Sequence, residues 1–189
     1  MAKKVAVLLA TGYEEGESLF LLDTLRRGGL QAELVSTTGE DWVTGSHGIT
    51  ARVDRQLDES LNDFDMMILP GGLPGATNLR DDERVTDWVR RFDSENKWIG
   101  AICAAPMVLQ KAGITKGRTL TSYPGDKYRA LFVDSDYREE IVVIDGNLIT
   151  SRGPATTLPF AYAIIDALGG DSTPLKEGML YHMAKASTL

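Results

Sequence analysis

The stretch Trp98-Ile99-Gly100-Ala101-Ile102-Cys103-Ala104-Ala105-Pro106 contains the only cysteine of the chain. Its first five residues are apolar enough for an inner strand of a parallel sheet, and the residues after the cysteine suit a helix. Cys103 is therefore predicted to lie in the turn between the two. There, free backbone N–H groups and the helix dipole lower the pKa of a thiol. A lone cysteine among apolar residues is also typical of an inert core position, so both interpretations stay open.

The length, charge and cysteine count of the chain exclude several classes of protein. The 189 residues suit a single domain over 1–189, and 20 basic against 27 acidic residues argue against a nucleic-acid partner. One cysteine allows no internal disulfide, and we find neither a signal-peptide pattern nor an apolar run near the roughly 20 residues of a membrane span. We expect a cytoplasmic protein with no membrane partner. Two histidines, His47 and His182, exclude a histidine-rich metal site, and we expect no metal or cofactor.

Apolar segments alternate with amphipathic ones along the chain, which predicts a mostly parallel α/β sheet. Its strands are predicted at 5–9, 31–36, 66–69, 98–102, 119–121, 140–144 and 148–150. Helices are predicted at 15–27, 83–92, 156–168 and 173–186. The segments 42–44 and 48–53 are short and contain turn residues, so we expect a small antiparallel excursion there. Asp145-Gly146 predicts a hairpin turn.

Ligands of such sheets bind at the carboxyl ends of the strands, so the loops there are candidate sites. Three loops qualify, at 11–17, at 70–76 and at Cys103. Gly71 and Gly72 could present N–H groups to an oxyanion, and a carboxyl of the acidic first loop could move protons. Neither the acidic first loop nor the loop with Gly71 and Gly72 identifies a function by itself. Acidic residues favour a helix start, and Pro-Gly-Gly is often only a turn.

Four motifs in this order resemble the ThiJ/PfpI family over about 4–168. They are Glu14-Glu15-Gly16-Glu17, Leu69-Pro70-Gly71-Gly72, Ala101-Ile102-Cys103-Ala104-Ala105-Pro106 and Thr150-Ser151-Arg152-Gly153-Pro154. The resemblance implies a flavodoxin-like three-layer sandwich of the class I glutamine amidotransferase type. It also implies that Cys103 is the elbow nucleophile and that the Glu17 carboxyl contacts its sulfur. Gly71 and Gly72 would match the oxyanion-side backbone, and a homodimer is expected.

One motif departs from the family pattern. Many members carry a histidine after the strand that follows the elbow helix, whereas this chain has Tyr123. Neither histidine of the chain lies at that motif position, so a Cys-His-acid peptidase is disfavoured. A subgroup of the family has an arginine where this chain has His47, so an altered anion pocket is expected. Tyr123 and Glu14 are expected in the pocket, together with the kept Arg27 and Arg152.

These residues favour an enzyme that acts on reactive α-oxoaldehydes or their early adducts, as a glutathione-independent glyoxalase or a deglycase. Cys103 would attack the aldehyde, N–H groups near Gly72 and Ala104 would meet the oxyanion, and Glu17 would shuttle the proton. The alternative from another class is a redox sensor or chaperone that works through oxidation of Cys103. A peptidase, or a binding protein with an idle thiol, is less favoured.

Overall fold

The computed structural model describes residues 2–186, in which a seven-stranded sheet lies between two groups of helices. The strands are β1 (Lys4–Leu9), β2 (Gln31–Ser36), β3 (Trp42–Thr44), β4 (Thr50–Arg52), β5 (Arg55–Gln56), β6 (Met66–Leu69), β7 (Trp98–Ile102), β8 (Thr119–Leu120), β9 (Asp136–Tyr137), β10 (Val142–Asp145) and β11 (Leu148–Ser151). The helices are α1 (Glu15–Arg27), α2 (Gly75–Asp81), α3 (Glu83–Ser94), α4 (Pro106–Ala112), α5 (Asp126–Arg129), α6 (Thr157–Ala167), α7 (Thr173–Gly178) and α8 (Tyr181–Ala186).

The main sheet has the strand order β10-β11-β7-β6-β1-β2-β5. Every neighbouring pair is parallel except β10 and β11, which form the hairpin predicted at Asp145-Gly146. The inner strands β1, β6 and β7 are buried almost throughout. Burial on both faces is the reason that these strands are continuous apolar runs rather than alternating ones.

Helices complete the sandwich. Helix α1 packs against α6, and α2, α3 and α4 pack together as a second group. Because β1, β6 and β7 are parallel neighbours, their carboxyl ends meet at one edge of the sheet. The loops that follow these three strands therefore converge there, as the sequence predicts. None of the helices in residues 2–186 is long and apolar enough to cross a membrane.

Most predicted elements are confirmed, with three differences. The predicted strand at 119–121 pairs with β9 in a separate two-stranded sheet and does not join the main one. The predicted helix at 173–186 is two short helices, because Leu180 takes a left-handed conformation with φ 58° between them. Helices α2 and α5 were not predicted. Helix α2 starts within Gly72-Leu73-Pro74-Gly75, a stretch whose residues indicate a turn.

Candidate active site

Cys103 occupies the turn between β7 and α4 in a left-handed backbone conformation, with φ 64°. Residues other than glycine rarely adopt this conformation, and it recurs where a fold holds a functional group in place. Backbone hydrogen bonds fix the turn on both sides. The Cys103 N–H donates to the carbonyl of Ser151 at 3.1 Å, and its carbonyl accepts from the N–H of Tyr123 at 2.7 Å. The side chain is 9% exposed at the base of a pocket.

Glu17 lies beside the thiol on the first turn of α1 and is 0% exposed. Its Oε2 accepts a hydrogen bond from the Gly71 N–H at 2.8 Å. Its Oε1 is buried without a hydrogen-bond partner among the described residues. A bare buried carboxylate oxygen is costly, whereas a protonated Oε1 could donate to a neighbouring thiolate. The geometry therefore favours a proton on this carboxyl.

Gly71 is the residue that allows Cys103 and Glu17 to approach each other. A Cβ at this position would lie 2.6 Å from Oε2 of Glu17, 2.6 Å from Cβ of Cys103 and 3.0 Å from its Sγ. The N–H of Gly71 is committed to Glu17, so it is not free for an oxyanion. Of the three predicted oxyanion-side residues, Gly72 and Ala104 have the N–H groups that face the sulfur. The role of Gly71 is to orient the carboxyl.

The backbone N–H groups of Gly72 and Ala104 face the sulfur and lower the pKa of the thiol. Two larger effects on the thiol pKa act in the opposite direction. Burial raises the pKa of the Cys103 thiol above its usual range, and the charge of Glu17 raises it further. This direction is opposite to the one predicted from the helix dipole alone. The sequence predicts the turn, but it does not show that the sulfur is buried or that the carboxyl of Glu17 lies beside it.

Burial raises the pKa of Glu17 to about 7, although the Cys103 thiol and the Gly71 N–H act to lower it. The thiol and the carboxyl are thus a coupled pair in low dielectric, where two negative charges side by side are disfavoured. With one proton in the pair, the thiolate can form when Glu17 holds that proton. The two N–H groups at the sulfur then stabilise the negative charge.

The pocket above Cys103 has a volume of about 500 Å³. Its lining combines backbone N–H groups at the base with aromatic and polar side chains at the rim. The lining residues are Glu14, Ser46, His47, Gly72, Leu73, Cys103, Ala104, Tyr123, Tyr128 and Pro154. Such a volume suits a small molecule or the modified end of a larger one.

Two predicted pocket residues lie elsewhere. Arg27 donates from Nε to Asp23 at 2.7 Å near the carboxyl end of α1, and about 15 Å of helix axis separates it from Glu17. Arg152 donates from Nη1 to the carbonyl of Glu139 at 2.6 Å, and it does not line the pocket. Neither arginine lines the pocket within the described chain, and a pocket that includes them stays a prediction. Glu14 and Tyr123 do line the pocket, and Tyr123 is 44% exposed there.

His47 also lines this pocket, at the position where a family subgroup has an arginine; the sequence predicts an altered anion pocket there but no role for the imidazole itself. The turn between β3 and β4 carries His47 to the rim, where Glu15 holds it. Glu15 Oε1 accepts from the His47 backbone N–H at 2.7 Å, and its Oε2 lies 3.0 Å from Nδ1 of the ring. Burial acts to raise the pKa of Glu15, but these hydrogen bonds hold it at about 2. The signal available in the sequence was the predicted hairpin directly after β2, at the same edge of the sheet.

Ligand atoms of Glu14, Glu15 and His47 lie within 4.8 Å of one another, which is the spacing of a possible cation site. Most of these ligand atoms already take part in hydrogen bonds within the protein. Both oxygens of Glu15 accept hydrogen bonds, and Nδ1 of His47 faces one of them. Within residues 2–186 we therefore describe the group as an ion pair that fixes the hairpin turn, and we assign it no metal.

Comparison with known proteins gives one family. A family model described as the DJ-1/PfpI family matches residues 3–167. Protein dj-1beta of Drosophila melanogaster is 40% identical over 171 residues, which cover 90% of this chain and 91% of that protein. A deglycase of Pyrococcus abyssi is 34% identical over 152 residues, which cover 80% of this chain and 90% of that protein.

Solved structures of DJ-1 proteins are also similar to this chain. The crystal structure of Drosophila melanogaster DJ-1beta has a TM-score of 0.89 at 38% identity, covering 95% of this chain and 98% of that one. The oxidized form of Toxoplasma gondii DJ-1 also has a TM-score of 0.89, at 31% identity and with the same coverage of both chains. These matches confirm the flavodoxin-like class of the fold.

Proposed function

The chain belongs to the DJ-1/PfpI family, and on that basis we propose that it is a Cys103-dependent enzyme for reactive α-oxoaldehydes or their early adducts. Its activity is that of a glutathione-independent glyoxalase or a protein deglycase. The deglycase of Pyrococcus abyssi, 34% identical to this chain, supports the substrate class. Cys103 is the nucleophile, Glu17 is the acid and base, and the N–H groups of Gly72 and Ala104 meet the oxyanion.

The observation that carries the proposal is the pairing of a pocket-facing sulfur with one buried carboxyl. Glu17 is 0% exposed and sits under Gly71, so its proton exchanges with the sulfur or with a molecule bonded to it rather than with bulk water. The N–H groups of Gly72 and Ala104 already face the sulfur. An oxygen on a carbon bonded to Sγ would lie close to the same two donors.

The reaction of methylglyoxal follows from these parts. The thiolate bonds to the aldehyde carbon, and the carbonyl electron pair moves to oxygen, which takes the proton from Glu17. Glu17, now ionised, removes the hydrogen of that carbon as a proton and gives it to the neighbouring carbon, while the proton of the new hydroxyl passes to the second carbonyl oxygen. The resulting thioester is cleaved by water to lactate and the free thiol. In an early adduct of an amine or a thiol, the Cys103 thiolate would attack the carbon that came from the aldehyde.

A second candidate function is redox sensing. The oxidized Toxoplasma gondii DJ-1, with a TM-score of 0.89, favours it, because that structure is of a relative in an oxidized form. In this chain a Cys103 sulfenate or sulfinate would accept from the Gly72 and Ala104 N–H groups and from a protonated Glu17. No second cysteine exists to resolve it within the chain.

We place the protein in the cytoplasm as a homodimer. A single cysteine is ordinary in a reducing compartment. Exposed large apolar side chains on α1 and on the β3–β4 hairpin, namely Phe20, Trp42 and Ile49, offer a surface that a second copy could cover. The molar mass in solution by light scattering tests the dimer.

The deciding experiment is lactate formation from methylglyoxal with no glutathione or other added thiol. We expect turnover by the parent and none above background by Cys103→Ala, since the covalent step needs the sulfur. If the parent forms no lactate but dilute peroxide oxidises Cys103 stoichiometrically, the redox candidate replaces the enzyme. If Cys103→Ala turns over as fast as the parent, both functions lose their basis.

Tyr123→Phe should leave turnover close to the parent value. The hydroxyl of Tyr123 makes no hydrogen bond to a described residue, and its ring packs edge-on against Tyr128 with centroids 5.7 Å apart. Phenylalanine keeps that packing. Steady-state kinetics on methylglyoxal check this, with Tyr123→Ala as the variant that removes the ring. A large loss in Tyr123→Phe would show that the phenol donates to the substrate.

A further inference from the structure

The proposed reaction leaves the proton transfer to the second carbonyl oxygen without an assigned residue. Glu17 is fully buried beside the sulfur, so we assign it to the carbon atoms next to Sγ. The second carbonyl of an α-oxoaldehyde extends away from that carbon into the pocket. Its oxygen gains negative charge when the carbon–hydrogen bond breaks, and a group on the rim must neutralise that charge.

His47 is a rim residue that polar contacts of its backbone and its ring hold in place. Its backbone N–H donates to Glu15 Oε1 at 2.7 Å, and its Nδ1 lies 3.0 Å from Glu15 Oε2 and 3.0 Å from the Ser46 hydroxyl. Glu15 is buried on the first turn of α1, two residues before Glu17. The same helix turn therefore positions the imidazole at the rim and the carboxyl at the base.

The orientation of the ring follows from its partners. Nδ1 faces an ionised carboxylate, so it carries a hydrogen and donates it. Nε2 makes no hydrogen bond to a described residue and is the nitrogen left for a substrate. The side chain is 70% exposed, so the ring exchanges protons freely with water.

The charges around His47 favour the imidazolium. The hydrogen bond to Glu15 and the charges of Glu14 and Glu15 raise the pKa of His47 above its usual range. Glu14 Oε2 lies 3.7 Å from Nδ1. The other titratable groups that line the pocket are Cys103, Tyr123 and Tyr128, and Glu17 lies behind Cys103.

We propose that His47, held by Glu15, is a second acid–base residue of this site and acts on the two oxygens of the substrate. The proposal rests on the proposed function. As Glu17 takes the proton from the first carbon, the C–H electron pair forms a carbon–carbon double bond, and the second carbonyl oxygen takes a proton from Nε2. The intermediate is an enediol bonded to Sγ.

The second half of the step restores the enzyme. Glu17 gives its proton to the second carbon, and neutral Nε2 takes the proton from the hydroxyl of the first carbon, which becomes the thioester carbonyl. In a cis enediol the two oxygens are neighbours, so one imidazole can serve both. No electrons leave the substrate, and both residues return to their starting protonation states.

The pH dependence of kcat/KM separates this role from a structural one. The reaction needs His47 protonated, so the rate should fall as pH rises past the His47 pKa. His47→Asn should lose about 10-fold in kcat/KM and lose that alkaline limb, because asparagine can still donate to Glu15 but cannot give up a proton. Added imidazole should restore part of the rate of His47→Ala, which a merely structural loss would not allow.

His182→Asn is the matched control. His182 lies on α8 outside the pocket, and we expect parent rates and a parent pH profile. Intact folding of the His47 variants is checked by the alkylation rate of Cys103, which should match the parent. Suppose that the parent turns over methylglyoxal through Cys103 while His47→Asn keeps the parent rate and the alkaline fall in kcat/KM. This inference is then wrong, and the proposed function stands. If Cys103→Ala is as active as the parent, both are wrong.

Discussion

Glu17→Gln should lower methylglyoxal turnover by at least about 10²-fold, the usual scale for loss of an acid–base group. Glutamine can keep the hydrogen bond from the Gly71 N–H, which Glu17 Oε2 accepts at 2.8 Å. It cannot give or take the proton that the reaction moves between carbons. The fold should therefore survive while the chemistry stops.

The same variant should be more stable than the parent at alkaline pH. The pKa of Glu17 is about 7 in the folded chain, against an ordinary value of 4.5. As pH rises from 4.5 to 7 the unfolded chain loses this proton first, so the free energy of unfolding of the parent falls and stays low above pH 7. The full penalty is about 3 kcal/mol, and Glu17→Gln removes it.

Urea unfolding at pH 5 and pH 8 measures this effect. We expect a gap of about 1 kcal/mol at pH 5 and of about 3 kcal/mol at pH 8, both in favour of the variant. Exposed Glu40→Gln is the control and should match the parent at both values. The variant should also alkylate Cys103 at lower pH, since the carboxylate charge that opposes the thiolate is gone. A variant less stable than the parent at pH 8 would contradict a raised pKa of the buried Glu17.

The sequence predicts the framework of this fold well because burial dictates it. Inner strands such as β1 and β7 are buried on both faces, so their apolar runs stand out, and Gly29 after α1 has φ 81°, the left-handed conformation in which many helices end. Short elements leave weaker patterns. Helix α5 has four residues, and β8 has two and pairs outside the main sheet, so their positions depend on tertiary contacts.

The candidate site is predictable only in part, for a similar reason. Cys103 and the Gly71-Gly72 turn lie at the ends of neighbouring strands, where topology alone brings loops together. His47 reaches the pocket through a hairpin between β2 and β5; the hairpin is predictable, but its position over the pocket depends on tertiary contacts. The kept motif position of Arg27 likewise says nothing about the length of helix that separates it from Glu17 within one chain.

Gly71→Ala should damage both activity and stability, because Gly71 lies between the sulfur and the carboxyl of the candidate site. The added Cβ would lie 2.6 Å from Oε2 of Glu17 and 2.6 Å from Cβ of Cys103, closer than real Cβ atoms come. Cys103 cannot retreat easily, since its own N–H and carbonyl are both hydrogen-bonded in the elbow. Glu17 is enclosed as well, at 0% exposure. One of the two must shift.

The expected cost of this overpacking is about 1–3 kcal/mol in the free energy of unfolding. A displacement of about 1 Å between the sulfur and the carboxyl should also cost on the order of 10² in turnover. Gly178→Ala is the control, because its added Cβ meets nothing within 4 Å at the end of a short helix. Thermal unfolding and methylglyoxal kinetics on both variants decide the matter. Because proton transfer between Glu17 and a carbon bonded to Sγ needs these atoms in contact, a stable and fully active Gly71→Ala would mean that the pair does not act together.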